Sequence, residues 1–365
     1  MNEQVNTAGK RERDPVFDVI RIVALLSVNA VHFFFQNHFY KEDLVGLKML
    51  GMTFIRTFFM ICVPLFLMLS GALMNKKKLS GRYYRGITKV LGVYLLGSVL
   101  CAVYRIFVLK ETVTFASFCV GVLKYSMASY SWYVEMYIGL FLLIPFLNLI
   151  YHGLQSRRQK LWLVITLSLI TALPTVTNFS TKILPDWWWC LYPLTFYFLG
   201  AYLEEFRPRM PRLLSILLMG VTTAVQGLLS YYMSAGGKFV EGNWQDHRSL
   251  LTLILSVLVF QFLLSFDMSR TKQPVRRVLK VISDACFGGY IVSWLWDNWL
   301  YRLLRQSIPE IRDRIWLFVP MVLLIFTLSI VTSILIGQLW RGIEWLFSRL
   351  WGVIRKRAKD PSETA

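Results

Sequence analysis

Apolar runs of about twenty residues alternate with short polar or basic breaks along nearly the whole chain. A helix rises about 1.5 Å per residue, so such a run spans the ~30 Å hydrocarbon layer of a bilayer. Ten stretches qualify: 16–35, 53–74, 87–107, 132–151, 161–178, 188–203, 213–233, 249–266, 283–303 and 316–339. The sixth and ninth are the weakest by hydropathy. A further stretch, 111–130, is ambiguous. The pattern predicts an all-α polytopic membrane protein with a polar N-terminal tail over 1–15, a ten-helix transmembrane domain over 16–339 and a basic tail over 340–365. That tail, WRGIEWLFSRLWGVIRKR, alternates Trp, Leu and Ile with Arg and Lys at helical spacing. It reads as an interfacial amphipathic helix on an anionic leaflet.

Composition narrows the class. Of 365 residues, 56% are apolar and 17% charged, against about 25% charged in an ordinary soluble domain. A soluble chain of this size has too few polar groups to cover that much apolar surface. The first apolar run is too long for a signal-peptide core and lacks a small-residue cleavage site, so the first helix is expected to stay. Cys62, Cys101, Cys119, Cys190 and Cys286 lie scattered in apolar stretches without a CxxC pair or metal-ligand spacing. They read as small hydrophobes, and no metal is expected.

The net charge of +19 gains meaning from where the basic residues fall. With ten spans and a cytoplasmic N-terminus, the inner segments collect Lys10, Arg11 and Arg13, then the Lys76–Lys89 group, Arg157 to Lys160, Arg207 to Arg212, Arg270 to Lys280, and the tail from Arg341 to Lys359. Well over half of the 40 Lys and Arg are then inside, as membrane insertion favours. Counting 111–130 as an eleventh span flips every later loop and destroys the bias. The expectation is therefore ten spans, both termini cytoplasmic, and 111–130 as an outer re-entrant or interfacial segment. Topology accounts for the charge, so no nucleic-acid partner is required; oligomeric state is not legible. Trp187, Trp188 and Trp189 fall at the outer end of the sixth span, where an aromatic belt belongs.

Ionisable groups inside spans are costly and so point to chemistry. Arg21 and His32 stand eleven residues apart in the first span. Eleven steps of about 100° return to nearly the same helix face, with the two about 16 Å apart along the axis. Asp18, one turn below Arg21, is placed to pair with it. Glu135 and Arg56 lie one turn inside the outer ends of spans four and two, Arg105 ends span three, and Asp297 lies in the outer half of span nine. If these helices are neighbours, one outer chamber holds a histidine, two carboxylates and several arginines. A carboxylate there fixes the histidine tautomer for proton transfer. The bland alternative is a set of charges neutralising one another in a wet vestibule. On the inner side, Arg82 and Arg85 share a helix face and have the spacing to clamp a phosphorylated ligand, although every inner loop is expected to be basic. His38, His152 and His247 lie at loops or helix ends and read as solvated. GxSxG, Walker A, GxGxxG and HExxH motifs are absent.

Several of these residues belong to an ordered set. Asp18-x-x-Arg21-x10-His32 is followed by Val63-Pro64-Leu65-Phe66-Leu67-Met68-Leu69-Ser70-Gly71, by Arg82-x-x-Arg85, by Ser131-Trp132-Tyr133 with Pro145 further on, and by Phe196-Tyr197-Phe198-Leu199-Gly200. Over about residues 14–340 this resembles the membrane acyltransferase family type 3, which includes bacterial surface-polysaccharide O-acetyltransferases. The resemblance implies acyl transfer in a bacterial cytoplasmic membrane, from acyl-CoA, usually acetyl-CoA, to a hydroxyl of a cell-surface glycan or lipid-linked sugar. It implies that Arg21 and His32 are the essential pair and that Arg82 and Arg85 lie on the donor side. One departure stands out. Where many members carry Tyr-Leu-x-His, this chain has Tyr290-Ile291-Val292-Ser293; if that histidine is catalytic in the family, this chain either uses Asp297 or His32 in its place or has altered activity.

The reading that follows is an O-acyltransferase. His32 is the expected base and Asp18 holds Arg21, which lines the donor path and stabilises an oxyanion. Glu135 is a further catalytic candidate. Arg82 and Arg85 bind CoA phosphates, while Ser70, Trp132, Tyr133, Tyr290, Ser293, Asp297, Arg56 and Arg105 are pocket candidates. The competing readings are a glycan or lipid transporter or flippase, which often carries internal repeats, and a non-catalytic subunit of polysaccharide assembly. No repeat is visible in this chain.

Overall fold

The computed structural model describes residues 13–359 except 179, 180 and 235. Lys10 and Arg11, with most of the N-terminal tail, lie outside the described residues. So do 360–365 and the side chains of the basic residues Arg355, Lys356, Arg357 and Lys359.

The chain folds as α1 (Pro15–Gln36), α2 (Leu47–Phe59), α3 (Cys62–Met74), α4 (Gly81–Arg85), α5 (Ile87–Phe107), α6 (Phe115–Leu123), α7 (Trp132–Gly153), α8 (Arg157–Thr171), α9 (Pro174–Thr177), α10 (Tyr192–Phe206), α11 (Arg212–Met233), α12 (Leu250–Leu264), α13 (Gln273–Ser307), α14 (Ile311–Arg314) and α15 (Phe318–Lys359). Among the described residues, nine helical segments are long and apolar enough to cross a membrane. The tenth apolar segment is α10, the weak sixth stretch of the sequence pattern. Its fifteen residues follow a 3-10 turn over Trp187–Leu191. It is short but almost wholly buried.

Local chemistry sets the boundaries. Asp14 caps α1 by accepting from the Val16 amide at 3.1 Å, and Pro15 occupies the first turn, where its missing N–H costs nothing. The second span begins earlier than expected, at Leu47, and breaks between Phe59 and Cys62. Pro64 explains the break, because proline cannot donate to a carbonyl four residues back and its ring crowds that carbonyl. The 111–130 stretch yields only the nine-residue α6. At about 1.5 Å per residue it is far too short to cross, so this stretch is not a span. The basic tail is not a separate helix, because α15 runs through it without a break.

Helix α1 is central and packs on α13, α3, α15, α2 and α12. It runs parallel to α13, with paired levels: Arg21 beside Ser283, Leu25 under Gly289, His32 on Asp297, and the Gln36 carbonyl accepting from Arg305. Antiparallel α15 starts at the His32 end, where Phe318 packs on Phe33 at 5.1 Å. It passes Trp340 against Gly92, near the start of α5. The start of α1 and the later part of α15 therefore share one end of the bundle. Helices α3 and α10 cross in close backbone contact. A Cβ on Gly71 would fall 1.8 Å from the Tyr197 carbonyl oxygen, and one on Gly200 1.8 Å from that of Met68. Apolar helices gain no hydrophobic drive from each other in lipid, and close backbone approach at small residues supplies the packing instead. On the outside, Leu91, Leu95, Val99 and Val103 form an exposed stripe along α5, which suits hydrocarbon.

Candidate functional site

His32 sits near the end of α1, and its ring Nδ1 lies 3.0 Å from the Asp297 Oδ2 on α13. The same oxygen accepts from the Tyr130 hydroxyl at 3.0 Å, and that hydroxyl accepts from Gln36 Nε2 at 2.7 Å. The Tyr130 ring covers His32 with centroids 3.7 Å apart. Tyr290 on α13 donates to the Tyr130 carbonyl and anchors the segment that delivers Tyr130. Asp297 is fully buried, whereas His32 keeps 16% of its side chain accessible. A buried carboxylate facing imidazole Nδ1 selects the tautomer with the proton on Nδ1 and leaves the Nε2 lone pair available. Nε2 has no hydrogen-bond partner among the described residues. The arrangement is that of a positioned general base.

Arg21 is near the other end of the same helix face. It does not pair with Asp18. Its guanidinium donates to the Ser283 hydroxyl at 2.8 Å, while Asp18 accepts from Arg13 Nε at 3.0 Å. Arg13 also reaches Asp284 at 2.9 Å, so α13 supplies Ser283 to Arg21 and Asp284 to Arg13, while Asp18 pairs with Arg13. Arg21 and Asp18 line a cavity of about 1460 Å³ at the N-terminal end of α1, together with Lys76, Arg207, Arg209 and Arg276. Acidic residues including Asp14, Glu204 and Asp284 line it as well, so its walls are mixed in charge.

A column of rings joins the two ends. Tyr290 meets Tyr133 edge-on at 5.5 Å, Tyr133 stacks on Tyr137 at 6.1 Å, Tyr137 approaches Phe141 at 6.3 Å, and Phe141 stacks on Tyr83 at 4.5 Å. Tyr83 stands between Arg82 and Arg85 on α4, so those two arginines mark the end of the column away from His32. Both are exposed, and neither lines the cavity.

The expected outer chamber is only partly assembled. Asp297 joins His32, but Glu135 does not. Tyr133 faces inward, and two further helix steps turn Glu135 about 200° away. It is exposed, and its carboxylate has no hydrogen-bonding or ionic partner among the described residues. Arg56 is buried and donates to the Tyr40 hydroxyl at 3.2 Å and the Gln245 carbonyl at 3.1 Å, tying two loops together. Arg105 lies over the Trp294 ring at 4.9 Å and holds the Met127 carbonyl and Glu111. Ser70 and Ser293 donate to carbonyls of their own helices, Phe66 and Tyr290, so neither hydroxyl is free. Asp297, one turn beyond Ser293, meets His32 in this chain. Trp132 is exposed and stacks on His247 at 5.4 Å. His247 is therefore held between rings and not simply solvated. His152 likewise has a partner, the Asn75 carbonyl, at 2.8 Å.

Sequence reasoning missed Tyr130, Gln36 and Ser283. Tyr130 lies in the ambiguous 111–130 stretch, and nothing local marks it as the cover of a histidine about a hundred positions earlier.

A family model described as an acyltransferase domain matches residues 14–337. The comparisons with characterised proteins and with solved structures give no match.

Proposed function

Because the chain belongs to the membrane acyltransferase family 3, we propose that it is an acetyl-CoA-dependent O-acetyltransferase of a bacterial cytoplasmic membrane, acting on a hydroxyl of a cell-surface glycan or lipid-linked sugar. The observation that carries this reading is the His32–Asp297 pair with its open Nε2. Such a pair activates a hydroxyl, whereas a translocation path has no need of a fixed tautomer.

In this mechanism the acceptor hydroxyl gives its proton to His32 Nε2 as its oxygen attacks the thioester carbonyl carbon. The C–S bond then breaks, and the proton on His32 passes to the departing thiolate. Asp297 keeps its hydrogen bond to Nδ1 and stabilises the transient imidazolium. Arg21 stands about 16 Å from His32 along α1, beyond the ~3 Å an oxyanion donor requires. Its work is on the donor's approach and not at the oxyanion. The donor enters from the end bearing Arg21, Arg82 and Arg85, with the two exposed arginines meeting its phosphates. The ring column between Tyr83 and Tyr290 supports a route from that end to His32.

The test uses the full-length protein in lipid nanodiscs with labelled acetyl-CoA. Binding of the donor and transfer to base-stripped surface carbohydrate, both saturable, are expected. Failure to bind acetyl-CoA would overturn the reading in favour of transport or a scaffold role.

A further inference from the structure

A second histidine–carboxylate pair lies in the loop before α12. Asp246 accepts from both His247 and Arg248, the latter at 2.8 Å. The His247 imidazole stacks on Trp132 at 5.4 Å and meets the edge of Tyr192 at 5.1 Å. The Arg248 guanidinium lies 4.2 Å above the Trp189 ring. Trp132 and Trp189 remain 42% and 48% exposed. Aromatic faces and charged groups thus alternate over one surface patch.

The loop that carries these charges is fixed. Arg56 holds the Gln245 carbonyl, Gln226 holds that of Trp244 at 2.9 Å, and Gln245 itself is buried. Segment 130–132 links the patch to the His32 site, since Tyr130 covers His32 and Trp132 covers His247. Two residues of chain span at most about 7 Å, so the backbone positions that carry the two covering rings lie side by side. A belt tryptophan turns its ring to lipid and its N–H to headgroups. Here an imidazole and a guanidinium cover one ring face each, and ionic groups facing hydrocarbon would be strongly penalised. The patch therefore faces water.

We propose that this patch is the acceptor subsite and binds a pyranose ring of a glycan, with Trp132 and Trp189 taking the apolar C–H faces and Asp246, His247 and Arg248 taking hydroxyls. Sites for polar ligands with apolar faces combine aromatic walls with a few fixed polar groups in this way. Segment 130–132, whose rings contact both histidines, connects the seated sugar to the His32 site. Arg56 acts here as a positioning residue, through the loop it holds. The inference rests on the O-acetyltransferase reading.

The test is acetyl transfer by the full-length chain in nanodiscs, with labelled acetyl-CoA and, as acceptor, surface carbohydrate of the producing cells stripped of ester groups by mild base. Trp132→Leu and His247→Ala are each expected to raise the acceptor KM about tenfold, whereas Trp132→Phe, which keeps a stacking face, stays within about threefold. If wild type transfers but the KM values of Trp132→Leu and His247→Ala stay unchanged, the subsite is wrong and the function stands. If wild type binds acetyl-CoA but transfers nothing to the carbohydrate, the glycan acceptor and this subsite both fall. Acetyl-CoA binding separates loss of stacking from loss of fold, since a misfolded Trp132→Leu protein would lose that binding as well.

Discussion

His32 on α1 and Asp297 on α13 meet at 3.0 Å across 265 positions of sequence. The contact exists because α1 and α13 run parallel with matched levels. Asp297 also takes the Tyr130 hydroxyl, so one buried oxygen organises three elements.

His32→Ala is expected to abolish acetyl transfer while expression and membrane insertion persist. Asp297→Asn keeps the shape but loses the charge that selects the tautomer. A fall in kcat of about 10²–10⁴ is expected for Asp297→Asn, the usual scale of general base catalysis. Transfer kinetics at saturating acceptor check both, and retained turnover in His32→Ala would remove it from the reaction.

Tyr130→Phe keeps the ring over His32 and deletes the hydrogen bonds to Asp297 and Gln36. Each such bond contributes about 0.5–1.5 kcal/mol net, somewhat more to a charged acceptor. The expected result is a drop in kcat of about tenfold, with acetyl-CoA affinity conserved. Isothermal titration with acetyl-CoA alongside turnover measurements would separate the two.

Arg82→Ala and Arg85→Ala are expected to raise the KM for acetyl-CoA by about tenfold or more, with kcat changed less, because a guanidinium meets a phosphate with two parallel donors. Lysine at either place should restore only part of the loss. Unchanged donor KM in both alanine variants would move the phosphate site to the cavity lined by Arg207 and Arg209.

Gly200→Ala places a methyl 1.8 Å from the Met68 carbonyl oxygen. No flexible side chain can yield there, so α3 and α10 must separate. Destabilisation of at least about 1–3 kcal/mol follows from such overpacking. Thermal unfolding in detergent should show a lowered midpoint. Gly220→Ala, where nothing lies within 4 Å of the new carbon, should not.

The sequence by itself determined the membrane class, the helix count to within the short α10, and the non-spanning nature of 111–130. Hydropathy, charge bias and helix rise are local or additive properties, so they are legible in one dimension. Helical periodicity also put Arg21 and His32 on one face. The partners of those residues were decided only by tertiary structure. Local spacing offered Asp18 to Arg21, yet Arg13 took Asp18 and Ser283 took Arg21, because α13 lies parallel against that face. Among the polar groups at the His32 end, sequence reasoning placed Glu135 among the catalytic residues and Asp297 only among the pocket candidates. Depth along a helix says nothing of azimuth relative to neighbours, and the packing turned Glu135 outward and Asp297 onto His32. The cover of Tyr130, and the neighbourhood of His247 and Trp132, depend on loops whose course no periodicity encodes.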